Sequence, residues 1–356
     1  MPLLINNDVT SRVLKTDEAI EAMESAFRQY AEGMATFQTR TDMWSPTAAE
    51  GDYYRWGSLI GAIADPPTLA FRFKSDILSW NEYNGAVTEE WHCVEPGRYC
   101  GFILLIDTSN GELIGMLNDG IIQHERVGAT TGVGVKYLAR EDAKTVGMLG
   151  SGGMAKSYLR AIKAVRDIEE CRVFSPTPAN RERFAAEMSD ELGIRVVPVE
   201  DKEAALADAD IAALCTDSRV PIFTANMTGL LRPGALIVNV RHDEIDEETY
   251  AACDRVVITS NNKLNDFVLG SEEDRGRRPM DKHYRRRYVD TTFEELPPIT
   301  AGQAPGREND DELIFFHNIS AGIQFAAIGR LVYERAKERG LGMPLPIDWF
   351  LQDIRN

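Results

Sequence analysis

The sequence contains no long apolar run. None of its 356 residues lies in a segment approaching the roughly eighteen uninterrupted apolar residues that a membrane-spanning helix needs. The opening segment, MPLLINNDVTSRVLKTDEAI, also lacks the basic-then-apolar layout of a signal peptide. We therefore expect a cytoplasmic protein with no membrane partner.

Excess positive charge and paired cysteines are missing as well. The net charge is −17 and the sequence pI is about 4.8, which argues against nucleic acid or an anionic membrane as a bulk partner. The cysteines are five, scattered and without CxxC spacing, so we expect reduced thiols and no metal site. Of these, Cys93 and Cys100 are the two whose spacing would allow a disulfide.

The chain is long enough for two domains, each with its own core. Its first part predicts a helix over 16–32, capped by Thr16 or Asp17 and closed by Gly33, and then a β-rich section. That section ends in a hairpin at Asn110-Gly111, because this dipeptide separates two apolar runs.

After Gly120 the pattern changes to short apolar strands alternating with helices. Such alternation predicts a doubly wound parallel sheet, an α/β fold. Residues 270–288, GSEEDRGRRPMDKHYRRRY, are charged and aperiodic, and we interpret them as an exposed excursion. From Asp310 onward the pattern predicts one long helix that ends at Gly340 or Gly342.

A glycine-rich turn lies between the first strand and helix of the alternating part. TVGMLGSGGMA is a GxGxxA motif in its required context, in which backbone N–H groups and a helix N-terminus hold a pyrophosphate. We predict that a dinucleotide binds there, in a Rossmann-type domain. The predicted contact residues are Gly150, Ser151, Gly152, Gly153, Met154 and Ala155.

The next strand indicates which dinucleotide binds. In NAD sites this strand normally ends in an acid that binds the adenosine ribose hydroxyls. Here it is followed by Ser175, Thr177 and Arg181, with no acid before Glu182. Hydroxyls and a guanidinium suit a 2′-phosphate, so we favour NADP(H) over NAD(H), although Arg181 is also explained as a helix-surface residue.

Three blocks in order resemble the ornithine cyclodeaminase/mu-crystallin family over nearly the whole chain. ERVGATTGVGVKYLA directly before the glycine turn is similar to that family's RTAA…S…AAKYLA helix. IVNVRHDEIDEETY lies where members have a strand, a small-residue pair and an Asp. PGRENDDELIFFHNISAGIQ resembles the signature GR…DEIT.F.S.G.A.Q.

The resemblance implies a discontinuous α+β domain for substrate binding and dimerisation, with the nucleotide domain inserted in it. We place the first at residues 1–122 plus 310–356 and the second at 123–309. It also implies a homodimer built through the β-rich domain.

Three cations match the family's basic substrate positions: Arg40, Lys74 and Arg126. An amino or imino acid carries a carboxylate, whose pocket needs converging cations. Lys74 also interrupts an apolar strand, where an unpaired ammonium would be costly, and we assign it a catalytic role as well. The alternatives are an outward-facing strand residue for Lys74 and a helix-surface residue for Arg126.

Asp243 matches the family's catalytic aspartate. It follows a strand, and ligands of doubly wound sheets bind at the carboxyl ends of strands. A carboxyl group there can exchange a proton with the substrate nitrogen while hydride passes between Cα and nicotinamide. The alternative is a helix-capping residue in a loop. We expect Glu244 and Asp246 to face solvent or to cap the following helical turn.

The chain also departs from the family pattern around this strand. Arg241-His242 replaces the small pair before the aspartate, and Glu247 stands where a basic residue is common. In the last block, Asn318 replaces a common Ser and Phe325 an Asp. We place Val240, Arg241, Asn318 and Thr216, which matches a cofactor-facing Thr, at the nucleotide. His317 either approaches the site or is a structural histidine.

Three functions remain open at this point. The first is an NAD(P)H-dependent reductase of ketimines or imino acids, equivalently an amino-acid dehydrogenase, with an amino or imino acid as its partner. The second is a redox-neutral cyclodeaminase that releases ammonia and holds NAD. The third is a non-catalytic NADP-dependent binding protein. The tryptophans of the β-rich part favour either a bulky substrate or core and interface packing.

Overall fold

The computed structural model describes residues 1–83, 86–261, 264–268 and 293–354. They form two sheets with helices packed around them. The predicted excursion at 270–288 lies outside the described residues. All five cysteines are free.

The first sheet is mixed and mainly antiparallel. Its strands are β1 Leu3–Ile5, β2 Ala35–Phe37, β3 Arg40–Pro46, β4 Tyr53–Ile63, β5 Thr68–Tyr83, β6 Ala86–Cys93, β7 Glu95–Pro96, β8 Cys100–Ile106, β9 Leu113–Asn118, β16 Leu264–Val268 and β19 Met343–Pro344. Their order is β16-β3-β4-β5-β8-β9-β1-β19, and in addition β2 pairs with β4, and β6 pairs with β5 and β7. The β8–β9 hairpin confirms the turn predicted at Asn110-Gly111, and Gly111 has the positive φ of 80° that favours glycine.

The second sheet is parallel throughout. Its strands are β10 Thr145–Leu149, β11 Glu170–Phe174, β12 Arg195–Pro198, β13 Ile211–Leu214, β14 Leu236–Asn239, β15 Arg255–Ile258, β17 Glu294–Glu295 and β18 Ile314–His317. Their order is β12-β11-β10-β13-β14-β18-β15-β17. This confirms the predicted doubly wound α/β fold, because the strands alternate with helices along the chain.

Helices cover both sheets. The α-helices are α1 Asn7–Val13, α2 Thr16–Ala31, α3 Asp119–Leu138, α4 Gly153–Val165, α5 Pro178–Leu192, α6 Lys202–Leu206, α7 Glu247–Ala251, α8 Leu296–Thr300 and α9 Gly322–Glu338, and 3₁₀ turns span Ala225–Leu230, His242–Glu244 and Ile347–Trp349. The predicted capping of α2 is wrong: its N-cap is Lys15, which makes no side-chain cap bond.

Helix α3 joins the two parts and packs closely on α4. A Cβ on Gly128 would lie 2.7 Å from the Ser157 carbonyl oxygen, so only glycine permits this approach. The small residues of this segment are therefore there for helix packing. The core is continuous across α2, α3, α4 and α9.

The last block of the chain differs from the prediction. The long helix expected from Asp310 is instead strand β18 followed by α9, which ends before Gly340 (φ 63°). Ile314, Phe315 and Phe316 are completely buried, since β18 lies between β14 and β15 in the second sheet. The predicted domain division assigned this strand to the other part, and it assigned β16, which pairs with β3, to the nucleotide part.

Candidate active site

The glycine turn has the geometry of a pyrophosphate site. Gly150 has a φ of 112°, and a Cβ there would lie 2.3 Å from the Cys215 carbonyl oxygen. Gly152 is the N-cap of α4, and no atom lies within 4 Å of its Cβ position, which leaves room for a phosphate. Ala155 is completely buried, as close packing of helix on sheet requires. These residues fit a dinucleotide.

The residues after β11, which we predicted to bind the 2′-phosphate, include an arginine that the protein itself already engages. Arg181 is buried, and its guanidinium donates to the Ser175 carbonyl oxygen at 3.0 Å and pairs with Glu200 at 3.1 Å. Thr177 is the N-cap of α5 without a side-chain cap bond. Arg181 is therefore not the surface residue of the alternative interpretation, and two protein acceptors already engage it.

One pocket connects the glycine turn with the carboxyl ends of the parallel strands. Its volume is about 200 Å³. Among its lining residues are eight that the sequence predicted: Arg40, Lys74, Arg126, Met154, Val240, Arg241, Asp243 and Asn318. Ser151, Ser175, Thr177, Arg181 and Thr216, which were also predicted at the nucleotide, are not part of this lining.

Lys74 is buried on β5, which excludes the outward-facing alternative. Its Nζ lies 2.7 Å from the Asp76 carboxylate and 4.3 Å from the centre of the Trp91 ring. Burial, followed by the neighbouring Arg55, holds the pKa of Lys74 well below its usual value. The ammonium thus has a polar partner, but it lies among other cations.

Arg126, on α3, is also buried rather than on a helix surface. Its guanidinium donates to Gln324 Oε1 at 2.7 Å and to Gln123 Oε1 at 3.0 Å, and its Nε is buried without a hydrogen-bond partner in the described part of the chain. Phe325 lies under it, 5.0 Å from the ring centre. Burial and then nearby Arg72 lower the pKa of Arg126. Arg40, half-buried, pairs with Asp42 at 3.0 Å.

Asp243 lies in the 3₁₀ turn that follows β14. Its Oδ2 accepts a hydrogen bond of 2.7 Å from Arg219, and Arg219 also pairs with Glu89 of β6. Arg219 and Glu89 are both buried. An isolated bridge between Thr88 and Ser218 joins the same two segments. The first sheet therefore contacts the loop after β13 and orients Asp243 through Arg219.

Glu244 neither faces solvent nor caps the following helix, which were the two roles that we expected. It is completely buried, and its carboxylate accepts from the backbone N–H of Thr216 (2.6 Å), Val240 (3.2 Å) and Arg241 (2.9 Å). The Thr216 hydroxyl also donates to it, at 2.9 Å. Burial raises the pKa of Glu244, against the effect of these hydrogen bonds. Asp246 does cap the next helix, accepting from the Thr249 N–H at 3.0 Å.

The end of β18 and the segment that follows it also line the pocket. His317 lines the pocket, is buried, and its Nδ1 lies 2.5 Å from Asn239 Oδ1. Asn318 donates to the Val127 carbonyl at 2.9 Å and the Thr131 hydroxyl at 3.0 Å. Its own Oδ1 is buried and has no protein partner among the described residues. Such an orphaned acceptor suits a ligand N–H.

Several buried residues of the pocket were not predicted from the sequence. Arg55, Arg72, Glu89 and Arg219 line the pocket and are buried. One signal was available: in FRFKSD the charged residues Arg72, Lys74 and Asp76 alternate, so they share one face of β5. Glu89 and Arg219 carry no such signal, because their contact joins residues 130 positions apart.

The family model for "Ornithine cyclodeaminase/mu-crystallin family" matches residues 3–340. The chain belongs to this family. It is 29% identical over 250 residues to a delta(1)-pyrroline-2-carboxylate reductase of Bacillus cereus, covering 68% of this chain and 73% of that protein. This confirms the predicted family.

Two solved structures have a similar fold over nearly the full length of the chain. The delta(1)-pyrroline-2-carboxylate reductase of Thermococcus litoralis, in complex with NADH and L-proline, has a TM-score of 0.76 and 28% identity, covering 96% of this chain and all of the other. An archaeal alanine dehydrogenase dimer with bound NAD has a TM-score of 0.74 and 21% identity, with 97% and 99% covered.

Two features are absent from the described part of the chain. No helix there combines the length and apolarity that crossing a bilayer requires. No group of three or more His, Cys, Asp or Glu side chains there is arranged to hold a metal ion.

Proposed function

We propose that this chain is an NAD(P)H-dependent reductase of ketimines or imino acids, equivalent in reverse to an amino-acid dehydrogenase. The observation that carries the proposal is that one pocket brings Met154 of the glycine turn, Asp243 and the cations Lys74 and Arg126 together. The Thermococcus litoralis relative holds NADH and L-proline, which supports a nicotinamide cofactor and an amino-acid product here.

The glycine turn and the N-terminus of α4 would hold the pyrophosphate, and Val240, Arg241 and Asn318 would border the nicotinamide. The bound cofactor supplies hydride for the imine carbon. Asn318 Oδ1 has no hydrogen-bond partner among the described residues and would accept a hydrogen bond from the nicotinamide carboxamide. Glu244 holds the backbone of Thr216, Val240 and Arg241, and so fixes the edge of this site.

Lys74 and Arg126, with Arg40, would bind the substrate carboxylate and so set the position of the imine carbon. Asp243 would lie beside the imine nitrogen, where its carboxyl group exchanges a proton with that nitrogen. Arg219 orients Asp243 for this exchange. The binding of the carboxylate and the transfer of the proton thus belong to different walls of one pocket.

The charge of the pocket favours this reaction over a cyclodeaminase. Seven cationic side chains line it, whereas the two carboxylates in its lining, Glu89 and Asp243, are both paired with Arg219. The second ammonium group of ornithine or lysine would meet like charge. Purified protein should therefore oxidise reduced nicotinamide when given cyclic imino acids. Ammonia release from ornithine with NAD, without net cofactor change, would contradict the proposal.

We also propose that NADP(H) is preferred over NAD(H). No carboxylate follows β11 at the position that binds ribose hydroxyls, whereas Ser175 and Thr177 offer hydroxyls and Arg181 a nearby positive charge. The two solved relatives described above hold NADH and NAD, so the preference is a property expected of this chain's own residues. Ser175→Asp should move the ratio of kcat/KM for NADPH to that for NADH toward NADH. An unchanged ratio contradicts the assignment.

We propose a homodimer as the working form. The archaeal alanine dehydrogenase was solved as a dimer, and the first sheet here is the part that the family resemblance assigns to the interface. Light scattering on the eluted protein should give twice the chain mass of 39.7 kDa, and a monomer at micromolar concentration would contradict the assembly.

A further inference from the structure

One carboxylate in the pocket is shared among three guanidiniums. Glu89 forms an ion pair with Arg219, and its Oε1 lies 3.5 Å from Arg241 and 3.8 Å from Arg55. The same oxygen also accepts the Trp91 indole N–H at 2.7 Å. This group of residues therefore holds more positive charge than Glu89 alone can balance.

Two of the three guanidiniums have a second carboxylate. Arg55 pairs with Asp76 at 3.0 Å and Arg219 with Asp243 at 2.7 Å. Among the described residues, Arg241 has no ion pair other than the one with Glu89, and its remaining side-chain hydrogen bond is to the Asp217 carbonyl at 3.3 Å. Its side chain is 19% exposed and lines the pocket. A guanidinium with one distant ion-pair partner, on the wall of a pocket, is well placed to bind a second anion.

The α-carboxylate of the substrate already has a receptor on other elements. Arg126 is on α3 and Lys74 on β5, whereas Arg241 follows β14 and stands two residues before Asp243. Burial is the first cause of the lowered pKa of both Lys74 and Arg126, and a neighbouring arginine is the second. A bound anion would offset the repulsion from that arginine at each residue. The pocket thus offers separate positive groups for two anionic groups of one ligand.

We propose that the substrate is a dicarboxylic 2-imino acid, whose second carboxylate is bound by Arg241. This inference rests on the proposed function and specifies its substrate class. A substrate with an apolar side chain would leave Arg241 with Glu89, 3.5 Å away, as its ion-pair partner. A substrate with an ammonium side chain would be repelled by Arg241. A carboxylate instead offers the two oxygens that a guanidinium binds in parallel.

The reaction balances with compounds of simple chemistry. A 2-oxo dicarboxylic acid and ammonia condense with loss of water and form the imine. Hydride from the reduced nicotinamide adds to the imine carbon and a proton adds to the nitrogen, so the C=N bond becomes CH–NH. The products are an amino dicarboxylic acid and the oxidised dinucleotide.

The test compares matched substrate pairs on the full-length protein. Imines formed with ammonia from oxaloacetate and 2-oxoglutarate are compared with those from pyruvate and 2-oxobutyrate, and Δ1-pyrroline-2-carboxylate serves as a further monocarboxylic imine. We expect kcat/KM to be at least about tenfold higher for the dicarboxylic members, and dead-end succinate to inhibit more strongly than propionate.

The variant Arg241→Gln should lower that dicarboxylic-to-monocarboxylic ratio about tenfold or more, and Arg241→Lys should restore part of it. The control variant Arg98→Gln removes an exposed arginine between β7 and β8 and should leave the ratio unchanged. Equal kcat/KM for both classes in the unaltered protein, or an equal loss for both in Arg241→Gln, overturns the inference while the reductase proposal stands. No reduction of any imino acid overturns the proposed function and this inference with it.

Discussion

At the scale of single residues, Asp243 is the group whose position best explains a reaction in this pocket. It stands at the carboxyl end of β14, and Arg219 holds it at 2.7 Å. Arg219 is itself held by Glu89, so the carboxyl group is oriented through a chain of two buried side chains. Such orientation suits proton exchange with a nitrogen bound at one place.

The variant Asp243→Asn should lower kcat by about 10²–10⁴-fold, because an amide cannot exchange this proton. Cofactor binding, followed by the fluorescence of reduced nicotinamide, should persist. Asp217→Asn, an exposed carboxylate in the neighbouring loop, is the matched control and should keep its activity. Full activity in Asp243→Asn would remove Asp243 from the mechanism.

Lys74 should give the enzyme an alkaline limit. Its pKa is lowered, so as pH rises the ammonium loses its charge below the usual lysine value of 10.5. In the proposed role the charged form binds the substrate carboxylate. We therefore expect kcat/KM to fall, with a rise in KM, as pH rises through the pKa of Lys74. In Lys74→Arg the fall should move to higher pH, because a guanidinium stays charged. An alkaline limit unchanged by that substitution contradicts the assignment.

At the scale of elements, strand β6 and the loop after β13 form one unit across the pocket. The Thr88–Ser218 bridge and the Glu89–Arg219 ion pair join them. Removing one partner of a buried ion pair leaves an uncompensated charge, at a cost of about 3–5 kcal/mol. Arg241 also pairs with Glu89, and Arg219 pairs with Asp243 as well, so the loss of Glu89 affects both arginines.

Glu89→Gln should therefore lower the free energy of unfolding by about 3–5 kcal/mol, measured in denaturant titrations. It should also lower kcat, because Arg219 no longer holds Asp243 in one position. Glu90→Gln changes the next residue, which is exposed on the same strand, and should change neither quantity measurably. Equal effects of the two substitutions would show that the ion pair does not orient the site.

At the scale of the whole molecule, the pocket exists only where the two sheets meet. The glycine turn contributes Met154 from the second sheet's side, and β4, β5 and β6 contribute the charged wall. A dinucleotide bound at the turn stabilises the folded state by mass action, by about 2.7 kcal/mol at a concentration 100 times its Kd.

Saturating NADPH should therefore raise the midpoint of thermal unfolding, measured by calorimetry. Gly150→Ala should abolish the rise, since its Cβ would collide with the Cys215 carbonyl and displace the turn. Gly193→Ala, also at a positive φ (64°) but in open space after α5, should lower the midpoint and keep the ligand-induced rise. A rise that survives in Gly150→Ala would place the cofactor elsewhere.

Much of this protein follows from local patterns in its sequence. Alternating apolar segments predicted the parallel sheet, the glycine spacing predicted the turn, and Asp243 was placed at a strand end, because each depends on neighbours along the chain.

Strand β18 was predicted as helix, since IFFH becomes a strand only between β14 and β15. Glu244 was predicted as exposed or as a cap for the next helix, since its N–H donors converge only when β13 and β14 are side by side. The sequence alone therefore determined the fold class and the family, whereas the charge balance of the pocket was decided by tertiary structure, because burial and ion pairing join residues far apart in the chain.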